Sequence, residues 1–340
     1  MRATVLTAPY EVQLQDVPEP IISEPTDALV RVAATCVCGS DLWNYRGINP
    51  FVRPRSIGHE SIGEVIEVGP DVRKVSVGDF VIIPFDYSDG TCHNCRSGFH
   101  NACVHGGVFS ASQAEVVRVP LADGTLVPTP EAPDDDLLPD LLTLSDVMGT
   151  GWHAAVAAGV ERNRSGTVVV VGDGAVGLCG VLAASQMHAE RIIAMSRHAP
   201  RQEVAKAFGA TDIVAERGEE GVAAVLELTQ GVGADATLEC VGTNDSMAQA
   251  VSLTRAGSTV GFVGVPHGVE LPMRQMFERN VGVFGGMAPV RHYVPILLQR
   301  VWARKMNPAR VFDLTLRLDD VAEAYKAMDE RRAIKVLLQP

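Results

Sequence analysis

The stretch Thr167-Val168-Val169-Val170-Val171-Gly172-Asp173-Gly174-Ala175-Val176-Gly177 decides how the second half of this chain must fold. Thr167-Gly172 is a short, almost wholly apolar run, as expected of a strand buried on both faces of a parallel sheet. Val176-His188 then reads as a helix. Gly172, Gly174 and Gly177 fit G-x-G-x-x-G directly between the two. Such glycines permit a tight turn, let a pyrophosphate approach the backbone, and bring helix against strand. The unpaired N–H groups of the helix start favour phosphate. Gly172, Gly174, Ala175, Val176 and Gly177 are therefore expected to bind a dinucleotide; the flanking strand and helix are what make the short motif specific.

Outward from this unit the rhythm repeats. A strand is expected at Arg191-Met195, a helix at Gln202-Phe208, a strand near Asp212-Val214 and a helix at Gly221-Leu228. Further strands fall near Ala236-Cys240 and Thr259-Val263. Alternation of this kind implies βα units in an open parallel sheet. The first ~120 residues differ, with short β-like runs such as Leu29-Val32, Gly63-Val68, Phe80-Pro84 and Ala114-Val119 between Gly and Pro turns. That texture suggests an irregular β-barrel or sandwich. Leu137-Leu144 and Gly151-Gly159 look helical. After Pro289 come two expected helices, His292-Arg304 and Asp319-Arg331, and a final strand, Lys335-Leu338.

The bulk numbers bound the function. At 340 residues the chain exceeds one ordinary core, so two domains are expected. With 29 basic and 41 acidic residues the formal charge is −12, which argues against a nucleic-acid partner. No apolar run approaches the roughly 18 residues of a membrane helix. No signal-like segment follows Met1, and a cytoplasmic protein is expected. Seven cysteines, three of them crowded between Cys92 and Cys103, read as metal chemistry rather than disulfides.

At the end of the second strand an NAD-binding chain carries a carboxylate for the ribose 2′-OH. Here Met195 is followed by Ser196, Arg197 and His198, with Arg201 close behind. Serine and arginine suit a 2′-phosphate through charge-assisted hydrogen bonds, so NADP is expected in preference to NAD. The competing reading is a solvated surface arginine.

Gly58-His59-Glu60, followed by Gly63, Gly69 and Val72, resembles the zinc-containing alcohol dehydrogenase signature of the medium-chain dehydrogenase/reductase family. The resemblance runs from Cys38 through the glycine turn to the last strand. It implies an α/β protein with a GroES-like β-barrel catalytic domain, residues 1-146 and 290-340, and a Rossmann (doubly wound parallel sheet) cofactor domain, residues 147-289. It also implies that Cys38 and His59 ligate a catalytic zinc, with Asp146 as third ligand where many members carry cysteine. The competing reading of Asp146 is a helix N-cap. Glu60 is implied as a carboxylate that approaches the metal, and Ser40 as the hydroxyl that relays the alcohol proton. The outer relay position holds Trp43 where several members have histidine, leaving water or Asp41 as the exit.

Asp89-x2-Cys92-x2-Cys95-x7-Cys103 is similar to the family's structural zinc lobe, with aspartate in place of the first cysteine. His93, His100 and His105 lie near enough in sequence to substitute, and a metal-free relic is the alternative. Thr150 and Val263-Gly264-Val265 match positions that hold the nicotinamide, and Lys335 one that touches the pyrophosphate or is only solvated. Trp43, Phe85 and Phe109 are pocket walls on one reading and core residues on the other. Together these features imply a zinc-dependent oxidoreductase passing hydride between NADP(H) and a small alcohol, aldehyde or ketone. The alternative is a polyol or amino-alcohol dehydrogenase using NAD. Relatives imply a homodimer or homotetramer, with the Gly257-Met287 region as the contact.

Overall fold

A computed structural model describes residues 1–49, 51, 54–163 and 166–340. The chain divides into two compact units: Met1–Asp146 with Pro289–Pro340, and Val147–Ala288.

The first unit is built on a seven-stranded sheet whose main path runs Val127–Pro128, Phe80–Ile83, Ser61–Val68, Ala28–Cys36, Lys335–Gln339 and Phe312–Arg317. Val116–Val119 also pairs with Ala28–Cys36. Alternation puts Val30, Val32, Val65, Val81, Ile83 and Val117 into one buried cluster. Two register irregularities bend Ala28–Cys36 against Ser61–Val68. Gly63 sits in that bend, and a Cβ there would stand 1.9 Å from the Arg31 carbonyl oxygen. The strand pairing that carries His59 toward the cluster described below therefore requires a glycine two residues inside the strand. The C-terminal strand enters this sheet antiparallel to Ala28–Cys36, which explains why chain ends far apart in sequence form one unit.

The second unit is a six-stranded, wholly parallel sheet. Its order is Asp212–Val214, Arg191–Met195, Thr167–Val171, Ala234–Glu239, Thr254–Phe262, Gly282–Gly285. Numbered along the unit this is 3-2-1-4-5-6, the doubly wound order with the topological switch at the carboxyl end of Thr167–Val171. The expected strands at 191–195 and 212–214 have the same bounds in the structure. Three elements escaped the sequence pattern: the helices Asn244–Leu253 and Met273–Arg279 and the edge strand Gly282–Gly285. Short, glycine-flanked edge strands carry little hydrophobic period, which is why this one is silent in sequence.

Candidate functional site

In the first unit, ligand-type atoms of Cys38, His59, Glu60 and Asp146 all lie within 4.8 Å of one another. Cys38 follows the strand Ala28–Cys36, His59 precedes Ser61–Val68, and Asp146 closes the segment after the helix Leu138–Thr143. His59 Nε2 stands 3.3 Å and Cys38 Sγ 3.7 Å from Asp146 Oδ2. Tetrahedral zinc with bonds of about 2.0–2.3 Å holds its ligand atoms roughly 3.3–3.8 Å apart, so the thiol, imidazole and carboxylate fit that ion.

Asp41 supports this cluster. Its Oδ1 lies 3.2 Å from His59 Nδ1, and its Oδ2 accepts a hydrogen bond from the Cys38 amide at 3.0 Å. One carboxylate thus aligns two of the candidate ligands and leaves Nε2 free to face Asp146, the usual supporting arrangement for a metal-binding histidine. Burial alone would push the His59 imidazole down, but the charges of Asp41 and Cys38 and the hydrogen bond with Asp146 hold it well above its ordinary value. Burial pushes the Cys38 thiol up, with Lys335 opposing. Asp41 is itself buried, behind the His59 ring. Ser40 is half-buried at the start of the helix Asp41–Tyr45 and makes no side-chain cap bond, so capping does not occupy its hydroxyl.

Lys335 meets Glu60 of this cluster. It is 1% exposed, and its Nζ donates to Glu60 Oε1 at 2.6 Å and to the Val37 carbonyl at 3.2 Å. A lysine committed to a buried carboxylate is not a solvated surface group; it neutralises Glu60. Burial pushes the Glu60 carboxyl up, and Lys335 pulls it back. Phe85 meets the His59 ring edge-on with centroids 6.2 Å apart. Phe109 instead packs in the barrel core against Tyr87. Trp43 is half-buried.

Asp89, Cys92, Cys95 and Cys103 form a second convergent group, also within 4.8 Å. Cys92 Sγ lies 3.5 Å from Cys95 Sγ and 3.9 Å from Cys103 Sγ, and every cysteine is a free thiol. The amides of Cys95 and Val104 lower the Cys92 thiol to about 7. Asp89 Oδ1 accepts from the amides of Thr91 and Cys92, and Oδ2 lies 2.7 Å from His105 Nδ1. Those bonds outweigh partial burial and hold the Asp89 carboxyl well below its usual range. None of the three neighbouring histidines joins the group among the described residues: His105 pairs with Asp89, His100 stacks on His292 at 6.4 Å, and His93 is exposed.

In the second unit, Gly172 adopts φ +117° and Gly174 caps the helix Ala175–Gln186. A Cβ on Gly177 would stand 2.0 Å from the Gly172 oxygen, whereas one on Gly174 would meet nothing within 4 Å. This is the cradle the motif implies, closed where helix meets strand and open at Gly174. Ala175 and Val176 form the first turn of that helix. Ser196 is buried and donates to Asp173 Oδ2 at 2.9 Å; Arg201 reaches Asp173 Oδ1 at 3.2 Å. Arg197 is exposed, and His198 caps the helix Ala199–Ala207 through its backbone. Asp173, an unassigned x in the sequence motif, is the residue that reading missed. Val263 and Gly264 donate from their amides to the Glu239 carbonyl, Val265 is exposed, and Thr150 is buried in the helix Val147–Ala158.

Comparison with known proteins agrees with both units. Residues 24–131 match the alcohol dehydrogenase GroES-like domain model, and residues 175–303 match the zinc-binding dehydrogenase model. Zinc-type alcohol dehydrogenase B of Aspergillus flavus is 33% identical over all of this chain and 81% of its own length. The NADP-dependent isopropanol dehydrogenase of Thermoanaerobacter brockii is 31% identical over 93% of this chain and 92% of its own. The alcohol dehydrogenase TADH from Thermus sp. ATN1 superposes with a TM-score of 0.91 at 31% identity, covering 100% of this chain and 99% of that one. The chain belongs to the zinc-containing alcohol dehydrogenases of the medium-chain dehydrogenase/reductase family, with a GroES-like domain and a Rossmann sheet. Among the described residues no helix is long and apolar enough to cross a membrane.

Proposed function

We propose that this chain interconverts a small alcohol and its aldehyde or ketone using NADP(H), with residues 1–146 and 290–340 as catalytic domain and 147–289 as cofactor domain. The observation that carries the reading is the convergence of Cys38, His59 and Asp146 at tetrahedral-ligand spacing, with Asp41 fixing the imidazole. Zinc held there would supply Lewis acidity that lowers the pKa of an alcohol, and the nicotinamide would supply the hydride-accepting partner. Asp41 holds His59 in one orientation, Lys335 keeps Glu60 neutralised beside the ligands, and Ser40 offers a hydroxyl to take the alcohol proton. Phe85 shields the cluster from water on one side. In the cofactor domain, the Gly172–Gly177 turn binds the pyrophosphate, and Thr150 with Val263–Val265 flanks the nicotinamide. Arg197, exposed at the end of the second strand with His198 next to it and Ser196 and Arg201 nearby, is the main contact to the 2′-phosphate. The Thermoanaerobacter relative's use of NADP and isopropanol supports that choice. Asp89, Cys92, Cys95 and Cys103 hold a structural zinc, and the protein is cytoplasmic. Self-association uses the edge strand Gly282–Gly285, which carries exposed Phe284 beside exposed Phe277 and Met287.

The decisive experiment is metal analysis joined to turnover. The purified protein should hold about two zincs per chain, and Cys38→Ala should hold about one, with NADPH binding retained and alcohol oxidation abolished. Retained turnover in Cys38→Ala refutes the proposal.

One observation favours the second reading, a polyol or amino-alcohol substrate. Asp86, adjacent to Phe85, is 1% exposed, and neither carboxyl oxygen meets a donor from another residue. Burial pushes its carboxyl up to about 7, with Asp146 adding to the rise. A substrate hydroxyl or ammonium would satisfy it. A lowered kcat/KM of Asp86→Asn for diols, with monoalcohols unaffected, would select this reading.

A further inference from the structure

The turn that cradles the pyrophosphate carries an acid in its middle, and the fold aims that acid at the end of the neighbouring strand. Asp173 lies between Gly172 and Gly174, while Ser196, Arg197 and Arg201 follow the strand Arg191–Met195. The two strands run parallel and in register, Val171 beside Met195, so their carboxyl-end loops are neighbours. Asp173 Oδ2 accepts from Ser196 Oγ at 2.9 Å, and Oδ1 accepts from Arg201 Nη1 at 3.2 Å. Arg201 Nη1 also lies 3.3 Å from the Asp173 carbonyl oxygen. The ion pair is mostly sheltered, with 14% and 11% of the side chains exposed, so solvent screens it less than a surface pair.

Ser196 is also fixed through its backbone: its amide donates to the Val214 carbonyl, and its carbonyl accepts from Gln202 Nε2 at 2.8 Å. Its hydroxyl points at Asp173 and offers its proton there. Arg197 is exposed and makes no hydrogen bond or ion pair among the described residues. Of the three groups suited to a 2′-phosphate, two are engaged by one carboxylate.

We propose that Asp173 sets the dinucleotide preference of this chain, supplying from the glycine turn the ribose-facing carboxylate that the second strand lacks and restraining Ser196 and Arg201 from the 2′-phosphate. The inference rests on the dinucleotide reading given above. A carboxylate at this place accepts from an unphosphorylated ribose hydroxyl and repels a phosphate, and it offsets one of the two arginine charges. Arg197 is left as the main contact to the phosphate, and the chain uses NAD as well as NADP instead of excluding it.

The test is direct binding, read by nicotinamide fluorescence titration of NADPH and NADH to the purified protein, with no turnover required. Asp173→Asn keeps the shape and removes the charge. It should tighten NADPH and weaken NADH, changing the ratio of dissociation constants by about tenfold or more. Asp173→Ala, which needs no amide orientation, should move the ratio the same way. Arg201→Ala should weaken NADPH about twofold in the wild type and about tenfold in the Asp173→Asn background, because only there is the carboxylate charge that holds Arg201 removed. An unchanged ratio in both Asp173 variants, or weaker NADPH binding in them, overturns the inference while leaving the dinucleotide reading intact. Absence of saturable binding of either dinucleotide to the wild type overturns both.

Discussion

Replacing Lys335 by Met probes a fully buried cation that meets Glu60 beside Cys38, His59 and Asp146. Lys335 and Glu60 are each 1% exposed and meet at 2.6 Å, and Lys335 also donates to the Val37 carbonyl. Methionine fills similar volume but leaves the Glu60 carboxylate without its counter-charge in a dry site. Breaking a buried pair by removing one partner costs about 3–5 kcal/mol, against about 0–1 kcal/mol for a surface pair. Arg274–Glu278, exposed on both sides, supplies the contrast: Arg274→Ala should stay within about 0.5 kcal/mol of the wild type. The pH dependence follows from Glu60. Burial already raises its pKa and Lys335 opposes the rise, so Lys335→Met raises it further. An acid whose folded pKa exceeds its unfolded value loses stability as pH climbs from the unfolded value through the folded one. The loss should therefore be large at pH 8 and smaller at pH 5.5. Urea unfolding followed by far-UV circular dichroism at both pH values measures it, and adding Glu60→Gln to Lys335→Met should recover much of it. A loss under about 1 kcal/mol at pH 8, or one that does not shrink at pH 5.5, refutes the assigned pair.

Three further outcomes are expected. Arg197→Ala should raise the KM for NADP about tenfold while leaving that for NAD nearly unchanged, and equal effects would place the 2′-phosphate elsewhere. Gly177→Ala should lower stability and abolish dinucleotide binding, because its Cβ collides with the Gly172 carbonyl; Gly174→Ala, with open space around it, should spare stability and weaken binding alone. Thermal unfolding beside a binding titration separates the two. Asp140→Asn should raise stability above pH 7 and lose that advantage below pH 4. Burial pushes Asp140 up to about 6, so its charged form is the costly one, while the Ala309 amide still finds an acceptor in asparagine. A wild type more stable than Asp140→Asn at pH 8 would contradict this.

The primary sequence determined the Rossmann half almost directly. Thr167–Val171 is an unbroken apolar run with glycines behind it, and only a buried parallel strand entering a tight turn suits that pattern. The ligand candidates were legible too, because Cys38, His59 and the Cys92–Cys103 spacing are chemically conspicuous. Tertiary structure decided the supporting groups. Lys335 reaches Glu60 across 275 positions, and Asp173 meets Ser196 and Arg201 across 23 and 28. No local period encodes such pairings; strand order and register bring them together. The fate of a lysine near the chain end, buried counter-charge or solvated surface group, depends on which sheet its strand joins. That choice belongs to the packed core, where an unpaired charge is too costly to persist.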